Sequence, residues 1–161
     1  MLELIKARRK DFDFYYKLKC EESSIYWSGF AEKPNKAQLL KFWEDIINGH
    51  ISRRSIYILF VDKIPVGYIQ VVEENRGCVL SIGITEKVRK NGFGTKIIQM
   101  AINKIGNQCK YYCYIREDNV ASIRAFENNG FCYTGISYKQ VYAIDRREYQ
   151  MNEYEKPHAN S

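Results

Sequence analysis

Ser81-Ile82-Gly83-Ile84-Thr85-Glu86-Lys87-Val88-Arg89-Lys90-Asn91-Gly92-Phe93-Gly94-Thr95 is the stretch on which the reading of this chain turns. It opens as an apolar strand, passes through a basic turn with two glycines, and runs directly into a helix. After Gly94 the residues Ile97, Ile98, Ala101, Ile102 and Ile105 fall on one face at helical spacing, and Gly106 ends the run. A helix start of this kind is an anion site, because its first N–H groups lack intrahelical partners and sit at the positive end of the dipole. Gly92 and Gly94 have no Cβ, so a phosphate could approach the backbone closely. Thr95 adds a hydroxyl, and Arg89 and Lys90 add charge. Two nucleotide loops are excluded. The Gly-x-x-x-x-Gly-Lys-Ser/Thr spacing is absent, and a dinucleotide fingerprint needs a parallel strand–helix–strand unit.

The strands before the turn do not supply that unit. Residues 55–61, 66–72 and 78–84 have period-two apolar patterns, separated by a turn at Asp62-Lys63-Ile64-Pro65 and another over 73–77. They read as an antiparallel meander. Further upstream, 2–7 reads as a strand, 11–20 as a helix and 35–48 as a stronger helix. The last has Asn35 as N-cap, an apolar stripe of Leu39, Leu40, Phe42, Trp43, Ile46 and Ile47, and Gly49 as stop. Downstream come a strand at 110–115, a helix from Asn119 to Asn129 with Val120, Ile123 and Phe126 on one side, and a strand pair at 131–138 and 147–154. Helices and strands mixed around an antiparallel start define an α+β fold.

The helix after 110–115 carries a second spacing: Asn119-Val120-Ala121-Ser122-Ile123-Arg124-Ala125-Phe126-Glu127-Asn128-Asn129-Gly130-Phe131. Arg89-x-x-Gly92-x-Gly94 resembles the coenzyme A pyrophosphate signature of the GNAT acyltransferase superfamily. The second stretch resembles that family's later Asn-x-x-Ser/Ala-x-x-x-Tyr/Phe-x-x-x-Gly-Phe motif, one helix and one strand further on. The two together cover residues 78–135. The resemblance implies a twisted, mainly antiparallel sheet with helices on both faces. Its fourth and fifth strands, here 78–84 and 110–115, would splay into a V that holds acetyl-CoA. It further implies that the backbone of Ile82 and Ile84 pairs with the pantetheine arm. The amides of Arg89, Lys90, Asn91, Gly92, Phe93, Gly94 and Thr95 would hold the pyrophosphate. Asn119 would bond the pantetheine region, and Phe126 would sit on the helix flanking the thioester. On this reading residues 1–154 form one acyl-CoA N-acyltransferase domain, and 155–161 a disordered tail.

Members of that family transfer acetyl directly to an amine, without metal or covalent intermediate. An alkylamine with a pKa near 10.4 is neutral in only about one part in 10³ at pH 7, so a base or water chain must take its proton. The usual acid for the departing thiolate is a Tyr at the position of Phe126, which has no proton to give. Ser122 or Tyr133 could replace it, the thiolate could leave unassisted, or the chain could be a coenzyme A-binding module without catalysis. A base on the fourth strand would stand near Cys78, where none is present. Glu73 is the candidate instead, with Glu74 beside it at the turn; Glu117 and Asp118 read as solvated or capping. The acceptor site implied by the family draws on the first helices and the last strand pair, and Tyr26 and Trp27 read as loop aromatics able to stack on a sugar or ring. That loop is loosely similar to bacterial amino-sugar acetyltransferases acting on nucleotide-linked sugars. A protein N-terminus, a polyamine or an antibiotic are other acceptors open at this point.

Composition agrees with an enzyme of this size. The 161 residues, 45% apolar, suffice for one domain and its core. No stretch approaches the roughly 18 apolar residues of a membrane span, and the N-terminus lacks the apolar run of a secretory signal. A cytoplasmic protein with no membrane partner is expected. Cys20, Cys78, Cys109, Cys113 and Cys132 form an odd set without short pairing, which suits reduced thiols. Cys109-x-x-x-Cys113 has no histidine near it, since His50 and His158 are the only two, so no metal is expected. The net charge of +6 is dispersed, with no basic helix. It admits nucleic acid and equally an anionic cofactor, and with no basic helix or zinc-finger spacing no nucleic-acid partner is expected. The expected partners are therefore coenzyme A, a small-molecule amine and, in a homodimer, a second copy.

Overall fold

The computed structural model describes residues 1–107 and 109–157. Its central ribbon is the expected meander: β2 (Arg54–Val61), β3 (Ile64–Glu74) and β4 (Gly77–Ile84) pair antiparallel in chain order. Asp62 and Lys63 turn the first hairpin with φ of 48° and 69°, the doubly left-handed form whose twist matches the flanking strands. The second turn is tighter than the 73–77 loop read from sequence. β3 continues to Glu74 and β4 begins at Gly77, so only Asn75 and Arg76 lie between them.

The remaining strands extend this ribbon on both sides. β1 (Leu2–Lys6) pairs with β2, and β5 (Tyr111–Arg116), β7 (Glu148–Lys156) and β6 (Cys132–Val141) follow β4, giving a seven-stranded sheet in the order β1-β2-β3-β4-β5-β7-β6. Among the described residues, only β4 and β5 run parallel. β7 reaches Lys156, two residues into the stretch expected to be a tail; residues 158–161 lie outside the described residues.

Helices cover both faces. α1 (Phe12–Lys19) and α3 (Lys36–Ile47) bury Phe12, Tyr15, Leu18, Trp43 and Ile46 against Ile56, Ile58 and Phe60. The Trp43 indole N–H donates to the Arg8 carbonyl at 3.1 Å, so the largest core side chain leaves no polar atom unpaired. The expected cap is present: Asn35 Oδ1 accepts from the Gln38 N–H at 3.0 Å. On the other face α4 (Phe93–Ile105) buries Ile97, Ile98, Ala101 and Ile102, each large one contributing about 1.5–3 kcal/mol. α5 (Val120–Glu127) turns Ile123 and Phe126 toward the core as expected, but not Val120. Val120 is exposed, and Ala125 with Phe126 are the buried pair.

One helix was not anticipated. Tyr26 and Trp27 lie on α2 (Glu22–Ser28), not on a loop. It ends at Gly29 with φ of 80°, where a Cβ would stand 2.7 Å from the Tyr142 ring. Glycine there satisfies both the left-handed stop and the close approach.

The parallel pair opens the sheet. β4 and β5 share only the rungs Cys78↔Tyr111 and Val79↔Tyr112. Beyond them β4 stays with β3 as far as Ile84, and β5 stays with β7 as far as Arg116. Antiparallel ladders hold both outer sides, and the weaker parallel pairing yields.

Candidate functional site

The strands part around a cleft of about 870 Å³. Residues 80–84 of β4 and 113–116 of β5 form its walls. The turn before α4 closes one end, and α2 with Tyr68 and Tyr142 closes the other.

At the first end the chain is shaped for an anion. Gly92 takes φ of 76° and Lys90 φ of 67°, and a Cβ on Gly92 would meet nothing within 4 Å. Among the described residues, the main-chain N–H groups of residues 90–95 find no acceptor, while the next one, Lys96, already donates to the Gly92 carbonyl at 3.1 Å. The Arg89 N–H is spent on the Glu86 carbonyl at 3.4 Å, which narrows the expected run by one residue. Arg89 also holds the turn in shape, its Nε and Nη2 donating to the Ile84 carbonyl at 3.3 and 3.2 Å. Asn91 faces away from the cleft and braces the turn through Val88 and Arg89 carbonyls. Gly94 is needed for packing as well as access, since its Cβ would stand 3.3 Å from Ala125 Cβ. Asn129 ties the two helices by donating to the Thr95 carbonyl at 3.1 Å.

Ile82, Ile84, Asn119, Ser122 and Phe126 all line the cleft. Asn119 caps α5, its Oδ1 accepting from the Ser122 N–H at 3.3 Å. Phe126 is buried edge-on against Phe131 at 5.0 Å. Tyr133 does not reach the cleft; it lies half exposed against Tyr154.

Glu73 is also displaced. It pairs with Cys78 at the closed end of the V and is exposed, and neither it nor Glu74 lines the cleft. Cys78 itself faces the α4 core, so the β4 side chain opposite Gln70 and inside the cleft is Ser81. Among the described lining residues there is no carboxylate and no imidazole. Phenols are plentiful, but burial pushes Tyr15 and Tyr68 up to about 12, so both remain protonated donors. Tyr68 fits beside β4 only because position 83 is glycine, where a Cβ would stand 2.3 Å from its Cε1.

Tyr26 and Trp27 divide: Trp27 lines the cleft, whereas Tyr26 is exposed beside it. Both stack on Arg116, which sequence reasoning missed. Its guanidinium carbon lies 4.0–5.2 Å from the rings of Tyr26, Trp27, Tyr142 and Tyr149. Nε and Nη2 donate to Asp118 at 2.6 and 3.0 Å, and Nη2 donates to Tyr26 at 2.7 Å. Burial opposes the charge, but Asp118 and Tyr26 together keep the pKa of Arg116 above its ordinary value. α2 is fastened to the anion turn by two carboxylates. Glu21 accepts from Thr85 Oγ1 at 2.5 Å and from the Glu86 N–H at 3.0 Å, and Glu86 accepts from the Ser23 N–H at 3.1 Å.

Behind the cleft wall, Glu153 of β7 is buried and accepts from Arg76 twice at 3.1 Å and from the Tyr114 hydroxyl at 3.1 Å. The Arg76 bonds hold its carboxyl below the usual range, against burial. A lowered folded-state pKa contributes stability that is complete above the unfolded carboxylate value and is lost as pH falls through the folded one. Stability should therefore fall as pH drops below the ordinary carboxylate range, which a comparison at a neutral and an acidic pH reads. Glu153→Gln should flatten that limb in urea titrations at the two pH values. An unchanged slope would mean the pair does not report on folding.

A model of the acetyltransferase (GNAT) family matches residues 12–131. No curated protein sequence matches the chain. Among solved structures, spermidine N-acetyltransferase from Vibrio cholerae, in complex with CoA and spermine, superposes with a TM-score of 0.85 at 19% identity, covering 98% of this chain and 96% of that one. The yncA protein of Salmonella typhimurium with acetyl-CoA gives 0.78 at 13% identity over 99% and 95%. Aminoglycoside acetyltransferase AAC(6')-Ib with coenzyme A gives 0.76 at 16% identity over 97% and 94%.

Proposed function

Because the chain belongs to the acetyltransferase (GNAT) family, we propose that it moves an acetyl group from acetyl-CoA directly to a primary amine of a small molecule. The observation that carries this reading is the run of unpaired N–H groups over residues 90–95, presented at the left-handed Gly92 beside parted strands. A diphosphate fits that run, because six adjacent donors without acceptors at a helix start would otherwise face only water. Residues 82 and 84, on the cleft wall past the last β4–β5 rung, would take the pantetheine arm by strand-like pairing. Bound acetyl-CoA supplies the acyl group: the amine nitrogen forms the new amide bond, the C–S bond breaks, and the proton lost by nitrogen balances the thiol released.

The chain's own part is positional and electrostatic. With no carboxylate or imidazole among the described lining residues, the amine proton leaves through water or hydroxyls, for which Ser81, Tyr114 and Ser122 are the lining candidates. Glu73 is too far along the closed end of the V to serve. The thiolate acid usually found at position 126 is absent, and a thiol pKa of about 8.5 lets the sulfur depart unassisted. A second reading, a coenzyme A-binding module without turnover, is favoured by Phe126 alone. Acetyl-CoA chemistry and free cysteines suit the cytoplasm. The edge strand β6, with Ile136 and Val141 exposed, supports a homodimer.

Thiol release from acetyl-CoA with a panel of amines tests the proposal. Amine-dependent release with a mass gain of one acetyl group on the amine is the expected result. Thermal stabilisation by acetyl-CoA with no acetylated amine would favour the binding module.

A further inference from the structure

The acceptor half of the cleft is chemically lopsided. The charged residues lining the cleft are all cations: Arg89, Lys90 and Arg124 belong to the anion turn and α5, which leaves Lys19 and Arg116 for the acceptor. Lys19 forms no ion pair among the described residues; its ammonium lies 5.9 Å over the Tyr15 ring and 5.6 Å over the Tyr68 ring. Arg116 is 2% exposed, and its Nη1 is buried with no hydrogen-bond partner. The one other unpartnered buried side-chain atom among the described residues is Ser23 Oγ, whose residue lines the same cleft. The carboxylates near Arg116, Asp118 and Asp145, do not line it. Asp118 is already held by Arg116, and Asp145 by the Tyr149 hydroxyl.

A polycationic acceptor finds nothing here that it needs. It would meet two positive charges and no free carboxylate. The aromatic faces able to receive a cation are already occupied, Tyr15 and Tyr68 by Lys19, and the rings around Arg116 by its guanidinium. An oxyanion, by contrast, finds an unshared guanidinium donor, a hydroxyl and an ammonium. A buried charged donor without an acceptor is costly, so a ligand that supplies one gains that amount on binding. Nη1 is shielded from water in this conformation. Trp27 and Tyr142 both pack on Arg116 and line the cleft, so a ligand oxygen would reach Nη1 by displacing one of these rings.

We infer that the acceptor is an amine that also carries an oxyanion, a carboxylate or a phosphate ester, held by Arg116 and Lys19. This inference rests on the acetyltransferase reading and narrows it. Cations around the acceptor also disfavour the ammonium form of the amine, which compensates in part for the missing base.

The test uses matched acceptors with the full chain and acetyl-CoA: amino acids against their amides, amino-sugar phosphates against the free amino sugars, and spermidine. The anionic member of a pair should have kcat/KM higher by about tenfold or more, the worth of one charge-assisted hydrogen bond. Which pair shows the gap separates carboxylate from phosphate. Lys19→Gln, at a residue without an ion pair, and Arg116→Gln should each raise KM for the anionic acceptor and leave KM for acetyl-CoA unchanged. Binding of the same pairs to the CoA-loaded protein, read by thermal shift, gives the charge preference without turnover and keeps the test open if Arg116→Gln does not fold. Equal use of charged and neutral partners, or a preference for spermidine, overturns the inference and leaves the acetyltransferase reading intact. Anion-selective binding with no acetylation of any amine overturns the reading of the function instead.

Discussion

Replacing Gly92 by aspartate is expected to leave the fold standing and to raise KM for acetyl-CoA at least about a hundredfold, by setting a negative charge where the diphosphate must lie. Space is not the obstacle, because a Cβ on Gly92 meets nothing within 4 Å. Stability is not the obstacle either. The φ of 76° is strained for a side chain, at about 1–2 kcal/mol, but aspartate tolerates that region better than most residues and a carboxylate at a helix start returns about 0.3–1 kcal/mol. Against the ligand the same carboxylate is unfavourable. Two unit charges about 4 Å apart repel by about 4 kcal/mol at an effective dielectric near 20, and about 2.8 kcal/mol of that already amounts to a hundredfold change. Gly92→Ala is the control, carrying the strain without the charge, and should move KM by less than about tenfold. Equal effects of the two variants would mean that conformation, not an anion site, limits binding.

Gly77→Ala should be the most damaging single methyl addition in the fold, costing about 3 kcal/mol. Its φ of 147° suits glycine alone, and the new Cβ would stand 2.3 Å from the Lys110 carbonyl oxygen. That oxygen accepts from the Cys78 N–H at 2.9 Å, at the point where β4 and β5 hold together. The backbone can give way only by loosening the two rungs that close the V. For a chain of this length the loss corresponds to a fall in Tm of roughly 9 °C, and acetyl-CoA should bind more weakly as the strands spread. A loss below about 1 kcal/mol in urea unfolding would show that the vertex is softer than its packing implies.

Why some of this was readable in the chain and some was not follows from range. α4 announces itself by an apolar face at helical spacing, and Gly92 and Gly94 by their place just before it; both signals are local. The meander is local too, since each strand pairs with the next. The parallel contact of β4 with β5 is not, and only the family resemblance pointed to the V. Arg116 follows an apolar strand as a single basic residue, which on sequence reads as a solvated end. Its four aromatic neighbours come from α2, the stretch after β6, and β7, so nothing nearby marks it as buried. Glu73 failed for the opposite reason. A carboxylate close to β4 in sequence sits at the closed end in space, because the hairpin turns at residues 75–76 and carries it away from the cleft. α2 was hidden by Ser23 and Ser24, residues of weaker helical preference near its start, which is held in place by Glu21 and Glu86 through bonds to another element.

Amide chemical shifts read the central claim most directly. A ¹⁵N-labelled sample titrated with coenzyme A, and in parallel with pantetheine, which lacks the diphosphate, should show the largest changes at residues 90–95 with coenzyme A. Pantetheine should leave those six nearly still while shifting Ile82 and Ile84. Resonances of 90–95 that stay put with saturating coenzyme A, or move equally with both ligands, would contradict the account.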